Sequence, residues 1–343
     1  MAARNKLVPT ILEEYGAAAR KVVGRYLPRG EPKKYLYEPL LDYPRRGGRS
    51  MRPSLCIATA RAFGGRFEDV VPTAAAIEML HNALLIHDDI QDESLMRRGK
   101  PALHVLHGVP LAINAGDALT LLSLRPLMEN RHILGPQLTI SLIEETEKMA
   151  LESAEGQALE LGWRRDNVWD LTEADYLEMV MKKTCWLATI HPLRAGALIG
   201  SRGQADVAPM VRFGFLLGAA FQVQDDILNL VGDANAYGKE LDGDIHEGKR
   251  TIMLLHVLSH ASPEDRTRIQ AIFAAPRGER TAQDVRFVRG LMDTFGSIEH
   301  GREVANGLAG AARYEYEVIF RDLPSSRDKD FIGELVTWVI ERD

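Results

Sequence analysis

The chain is expected to be all-α, a bundle of long helices folded as a single domain over 1–343, and three observations point there. Apolar residues recur at helical spacing along most of its 343 residues. No series of short alternating runs separated by turn residues occurs, as a sheet protein would need. The Pro/Gly-rich pieces, such as "PRRGGRSMRP" and "APRGERT", are short and fall between helices. At this length one large or two medium domains are possible. The lack of any linker or low-complexity tract favours one, and no fixed repeat period marks a solenoid.

In chain order, "PTILEEYGAAARKVVGRYL" places Ile11, Tyr15, Ala18, Val22 and Tyr26 at spacings of three and four, an amphipathic helix. "PTAAAIEMLHNALLIHDD" is apolar nearly all round, which predicts a helix surrounded by others. Long helices also follow in "ISLIEETEKMALESAEGQALEL", "EADYLEMVMKKTCWLATI" and "VRFGFLLGAAFQVQDDILNLV". Ser262-Pro263 reads as an N-cap with proline at the first helical position. In "FIGELVTWVIERD", Phe331, Leu335 and Val339 share one stripe, a packed C-terminal helix.

Composition limits the function classes. Hydrophobic content of 45% and charged content of 26% are ordinary for a soluble globular protein. A net charge of -6 argues against a protein that coats nucleic acid. Cys56 and Cys185 are too few for a disulfide framework and point to a reducing compartment, so a cytoplasmic protein is expected. "MAARNKLVPT" lacks the apolar core of a signal peptide. The longest apolar run, Val70 to Ile86, is interrupted by Glu78, His81 and Asn82. Spanning a membrane takes roughly 20 predominantly apolar residues, so this run is read as a buried helix and no membrane span is expected.

The apolar run ends abruptly in "HDDIQDE". Asp88 and Asp92 are four apart and share a helix face, with Asp89 just round the cylinder. Like charges at that spacing repel, and the helix dipole disfavours anions at a C-terminal end. A cation is the natural remedy, and carboxylates at the end of a rigid helix suit Mg²⁺, which commonly shares its shell with substrate phosphates. A solvated helix end is the plain alternative. The arrangement then repeats: "FQVQDDILNL" carries Asp225 and Asp226, with Asn229 in place of a third acid. Two acid pairs, each ending a buried helix, are placed to face each other across the mouth of a bundle, where bundle proteins build metal sites.

Basic residues flank both acid motifs. Arg49 and Arg52 lie in "GGRSMRP", and Arg97, Arg98 and Lys100 follow the first acids. Lys182, Lys183 and Thr184 stand in "MKKTCW"; Lys239, Lys249 and Arg250 come after the second acids. Each alone reads as surface charge. Together, metal-binding carboxylates ringed by Arg and Lys match a diphosphate, and two basic sets leave room for two.

These motifs resemble the trans-isoprenyl diphosphate synthase (polyprenyl synthetase) family. They occur in the family's order over about 47–251: "GGRSMRP", "HNALLIHDDIQD", "RRGKP", "GDAL", "EGQALEL", "KKT", "FQVQDDILN" and "GKELDGDIHEGKRT". The resemblance implies the isoprenoid synthase fold around a deep apolar cavity, usually a homodimer, with three Mg²⁺ ions and two substrates, an allylic diphosphate and isopentenyl diphosphate. It implies metal binding by Asp88, Asp92 and Asp225, with Asp89, Asp226 and Asp244 in supporting roles. Arg97, Lys183, Lys239 and Lys249 correspond to allylic diphosphate ligands. Arg49, Arg52, His81 and Arg98 correspond to isopentenyl diphosphate ligands, and Thr184 and Gln222 to the lining of the reacting centre. His87, Trp163, Trp169, Trp186 and Cys185 are read as structural.

The sequence departs from that pattern at Ser50, where many relatives carry a second basic residue, and at Asn229. The resemblance implies that chain length is set just before the first acids, where bulky residues would block the cavity. Ala83 and Leu84 stand five and four positions ahead of Asp88, with Met79 and Leu80 one turn deeper. A small Ala83 leaves the cavity floor open, which implies a geranylgeranyl-length product or somewhat longer. Two rivals remain, a terpene cyclase on the same scaffold and a non-catalytic subunit of a heteromeric synthase. Survival of the second basic set argues against the first, and of both acid motifs against the second.

Overall fold

Periodicity of apolar residues becomes helix almost throughout the computed structural model, which describes residues 6–232 and 241–342. The order is α1 (Leu7–Tyr26), α2 (Glu38–Arg46), α3 (Met51–Ala62), α4 (Phe67–Gln91), α5 (Leu103–His107), α6 (Val109–Glu129), α7 (Pro136–Arg165) and α8 (Glu173–Val180). A π-helical segment (Met181–Ile190) joins α8 directly to α9 (His191–Gly200). Then come α10 (Pro209–Val231), α11 (Gly243–Glu247), α12 (Ile252–His260), α13 (Pro263–Ala274), α14 (Ala282–Thr294), α15 (Ser297–Ile319) and α16 (Arg327–Glu341).

Three apolar clusters form the interior, and α4 contributes to all of them. Ala74 and Ile77 pack with α3 and α9, Leu80 with α8 and the π segment, and Met79, Ala83 and Ile86 with α2 and α6. This is why α4 is apolar all round. By length and composition it is the only helix among the described residues able to cross a membrane, and 72% of its most apolar window is buried inside the protein.

The terminal helices show how packing selects a stripe. Phe331, Leu335 and Val339 of α16 are fully buried, as their spacing implies. On α1 the buried line is Ile11, Tyr15, Ala19 and Val23, while Ala18 and Val22 fall at its half-buried edge. One step along a helix turns the side chain by about 100°, so a spacing pattern alone locates this face only to within a residue. Ser262 caps α13, its hydroxyl accepting from the Asp265 amide at 3.1 Å with Pro263 in the first turn.

The one sheet among the described residues is a two-residue hairpin that pairs Met96 with Pro101 and Arg97 with Lys100. Its turn residues Arg98 and Gly99 both have positive φ, 52° and 71°. That combination suits the right-handed twist of paired strands. Arg98 holds the uncommon conformation by donating to Tyr43 O (3.0 Å) and Asn82 Oδ1 (3.3 Å).

Candidate active site

The ends of α4 and α10 open onto a cavity of about 750 Å³. Its walls come from α4, α7, α8, the π segment and α10, with Leu84, Leu161, Met179, Leu187 and Phe221 among the apolar lining. Polar groups crowd the mouth: Asp88, Asp225, Asp226 and Asp244 with Arg49, Arg52, His81, Arg97, Arg98, Lys183 and Lys249.

At the α4 end, Asp88 lies 3.4 Å from both Lys183 Nζ and Arg97 Nη2. Burial opposes the charge on Asp88, but Lys183 and Arg97 outweigh it and hold the carboxyl below its ordinary range. Asp92 caps the helix and meets Arg164 at 2.5 Å and Lys249 at 3.5 Å. Asp89 turns inward instead. It is fully buried and accepts from Arg97 Nε (2.9 Å), from Arg97 Nη2 and from the Tyr43 hydroxyl. It thereby holds Arg97 at the cavity wall.

At the α10 end, Asp225 accepts from Arg342 Nη2 at 3.1 Å. Asp226 is buried and accepts from Tyr176 OH and Gln222 Nε2, each at 2.7 Å. Burial and the neighbouring Asp244 raise its carboxyl to about 8. Thr184 Oγ1 donates to Gln222 Oε1 at 3.0 Å, so a polar chain runs Thr184–Gln222–Asp226–Tyr176. Asn229, standing where a third acid would be, accepts the Asp244 amide at 3.0 Å and braces the α11 loop.

Lys249 bridges the two acid ends, 3.5 Å from Asp92, 3.2 Å from Asp244 and 2.6 Å from Glu247. Burial disfavours its charge, yet these carboxylates raise the ammonium well above its ordinary value. Lys183 is held by Glu160 and Asp88 and is raised likewise. Lys239 lies outside the described residues.

The second basic set lines the same mouth. Arg52 is half-buried, its Nε is buried without a hydrogen-bond partner, and burial with the nearby Arg98, against the opposing Glu78, lowers it to about 10. His81 lies 3.8 Å from Glu78, and burial and Arg52 lower it to about 4, so it is neutral at pH 7. Arg49 stacks over Trp338 at 5.9 Å. Ser50 Oγ accepts from Arg20 Nη1 at 2.6 Å, so α1 brings a guanidinium to the loop position where the chain itself carries a serine. A buried, unpartnered guanidinium N–H beside other cations calls for an anion.

The chain-length candidates separate. Leu84 lines the cavity and Leu80 lies in the cluster with Met179 and Leu187. Ala83 and Met79 are fully buried on the other side of α4, packed with Tyr43, Ala112, Ala115 and Leu119. The expectation that Ala83 looks into the cavity is corrected here: Ala83 is turned about 100° from Leu84, toward α6. His87, also read as structural, lines the cavity and sits 3.2 Å from Asp117.

Residues outside the motifs complete the site: Tyr43, Glu78, Arg164, Tyr176 and Arg342. Arg342 is 117 residues from Asp225, and no local pattern marks it. Among the described residues no three ligating side chains already surround a single point. The donors at the mouth are hard carboxylate oxygens on separate helices, now neutralised by Lys and Arg. That set fits Mg²⁺ held partly by protein and partly by substrate phosphates, and not a closed protein cage.

An apolar pocket entered past two acid clusters and two cation sets suits an enzyme whose substrates join an apolar part to a strongly anionic one. The Polyprenyl synthetase family model matches residues 33–292. The short chain isoprenyl diphosphate synthase of Methanothermobacter thermautotrophicus is 34% identical over 297 residues, 87% of each chain. The geranylgeranyl pyrophosphate synthetase of Pyrococcus horikoshii superposes with a TM-score of 0.85 at 30% identity, covering 99% of both chains. The polyprenyl synthase of Caulobacter crescentus, solved with calcium and isoprenyl diphosphate, gives 0.85 at 26% identity over 98% of this chain and 97% of that one. The chain belongs to the polyprenyl synthetase family and is a trans-prenyltransferase.

Proposed function

We propose that the protein, acting as one domain, condenses isopentenyl diphosphate with an allylic diphosphate, head to tail and trans, to a product of geranylgeranyl length or somewhat longer. The observation that carries this reading is the pair of cation sets at one apolar cavity mouth, because a cyclase needs a single diphosphate site. The relatives' names, short chain isoprenyl and geranylgeranyl synthases, support the product range.

In this reading Asp88, Asp92 and Asp225 hold Mg²⁺, three ions in all, with Asp89, Asp226 and Asp244 in support. The calcium in the Caulobacter crescentus relative supports a divalent ion. Bound magnesium supplies charge stabilisation to the departing diphosphate. Arg97, Lys183, Lys239 and Lys249 take the allylic diphosphate and neutralise it as the C–O bond ionises, stabilisation aimed at the transition state. Arg49, Arg52, His81 and Arg98 hold isopentenyl diphosphate so that its alkene meets the allylic cation. Thr184 and Gln222 face the reacting centre, and the released diphosphate accepts the proton. The apolar walls keep water from the cation.

A homodimer belongs to the same proposal. Leu106, Val109, Ile113, Leu121, Leu124 and Met128 are exposed along one side of α5 and α6, and Ile140 and Leu151 on α7. Such a stripe is unusual on a monomer surface.

The test is incubation with Mg²⁺, isopentenyl diphosphate and each of dimethylallyl, geranyl and farnesyl diphosphate, followed by analysis of diphosphate and hydrocarbon products. Elongation is expected; hydrocarbon without elongation from any starter overturns the reading. Asp88→Ala is expected to abolish turnover while the helical content is retained.

A further inference from the structure

The segment Met181–Ile190 is π-helical over ten residues, and the His191 amide donates to Trp186 O. Such i→i+5 geometry is rare, is mostly confined to single turns, and gathers at functional sites. Here it carries Lys183 and Thr184. The two helices that flank it treat these residues alike. On α7, a Cβ at Gly156 would lie 2.1 Å from the Lys183 amide nitrogen and 2.7 Å from its Cα. One turn further, Glu160 takes the Lys183 ammonium. On α10, a Cβ at Gly218 would lie 2.8 Å from Cys185 Sγ and 2.6 Å from Thr189 Oγ1. One turn further, Gln222 accepts the Thr184 hydroxyl at 3.0 Å.

Each flanking helix therefore admits the π segment at a glycine and grips a polar side chain four residues later. Residues four apart share a helix face, so the close approach and the grip are one contact. A helix that stood off by a methyl group would carry its Glu160 or Gln222 away as well. We propose that Gly156 and Gly218 are positioning residues, whose missing side chains let α7 and α10 close on the π segment and hold Lys183 and Thr184 at the cavity mouth. The inference rests on the reading of Lys183 as a diphosphate ligand.

Binding of geranyl thiolodiphosphate, which does not ionise, and of isopentenyl diphosphate is measured by calorimetry with Mg²⁺ present. Gly156→Ala is expected to weaken the allylic analogue by about 10- to 100-fold, the scale of one lost hydrogen bond to a charged group. Isopentenyl diphosphate, held by Arg52 and Arg98, is expected to bind unchanged. Gly162→Ala, on the same helix with no atom within 4 Å of its added Cβ, should keep both affinities and raise the melting temperature. If Gly156→Ala does not fold, Gly218→Ala carries the test, because its methyl meets side chains and not backbone. Lys183→Ala separates the two claims. Unchanged affinity in that variant overturns the ligand reading and the inference with it. Weakened affinity there, with both glycine variants binding as the parent, overturns the inference alone. So does equal weakening of the two ligands in a glycine variant, the mark of general disruption.

Discussion

Arg164 Nη1 lies 2.5 Å from Asp92 Oδ1, joining the last turn of α7 to the acid end of α4. Both side chains are largely buried, and Lys249 stands 3.5 Å from the other oxygen of Asp92. Burial opposes the Asp92 charge, but Lys249, Lys183 and Arg164 overcome it and keep the carboxyl far below its ordinary range. A carboxylate so occupied must exchange protein cations for metal before it serves as a ligand. Arg164→Ala should therefore destabilise the protein by about 2 kcal/mol in metal-free buffer, the scale of a lost hydrogen bond to a charged group. Added Mg²⁺ should raise its melting temperature by more than it raises that of the parent, because Asp92 is then open to it. An equal Mg²⁺ response in both proteins would show that metal does not compete with Arg164.

Leu84 and Ala83, adjacent in sequence, face different parts of the interior. Leu84→Ala is expected to lengthen the product and Leu84→Phe to shorten it, read by mass analysis of the chains. Ala83→Phe should shorten it only together with a loss of stability of about 1–3 kcal/mol, the range for overpacking. Its ring has to push into Tyr43, Ala115 and Leu119 before it reaches Leu84. A product distribution untouched by Leu84→Phe would remove Leu84 from the wall.

This pair also shows where sequence reasoning stops. Asp88 and Asp92 are legible because charge after a long apolar run is abrupt, and Asp225 and Asp226 because the pattern repeats. The phase of α4 is not legible. The helix is apolar on every side, since three clusters surround it, so no polar stripe marks which neighbour of Leu84 faces the cavity. The π segment hides for a similar reason: "MKKTCWLATI" holds nothing that tells i→i+5 from i→i+4 bonding, and the room for it comes from glycines on other helices. Arg20, Tyr176 and Arg342 reach the site only through tertiary packing.

The exposed stripe on α6 predicts an oligomer. Leu121 is 68% exposed at its centre. Leu121→Glu puts a charge where the proposed partner's apolar face would lie, at a cost of burying an unpaired carboxylate. The variant should sediment as a monomer while the parent sediments as a dimer. The same mass for both would exclude this face from the interface.

His191, at the start of α9, predicts a specific acid sensitivity. It is fully buried, with Nε2 3.1 Å from Thr146 Oγ1. Burial, partly countered by Glu145, lowers its imidazolium from 6.5 to about 4. The unfolded chain thus takes up this proton at a higher pH than the folded one. Stability from the neutral imidazole is fully present above pH 6.5 and is lost as the pH falls toward about 4. The loss from this residue amounts to about 3 kcal/mol by linkage. His81, lowered to about 4 as well, adds a loss of the same sign over the same interval. Urea unfolding between pH 7 and pH 4 should show a falling midpoint, and His191→Asn should remove roughly half of the part due to these two histidines. Asparagine keeps a polar partner for Thr146 and cannot take up the proton. If the variant and the parent lose stability with the same slope, the buried imidazole is not the group that titrates.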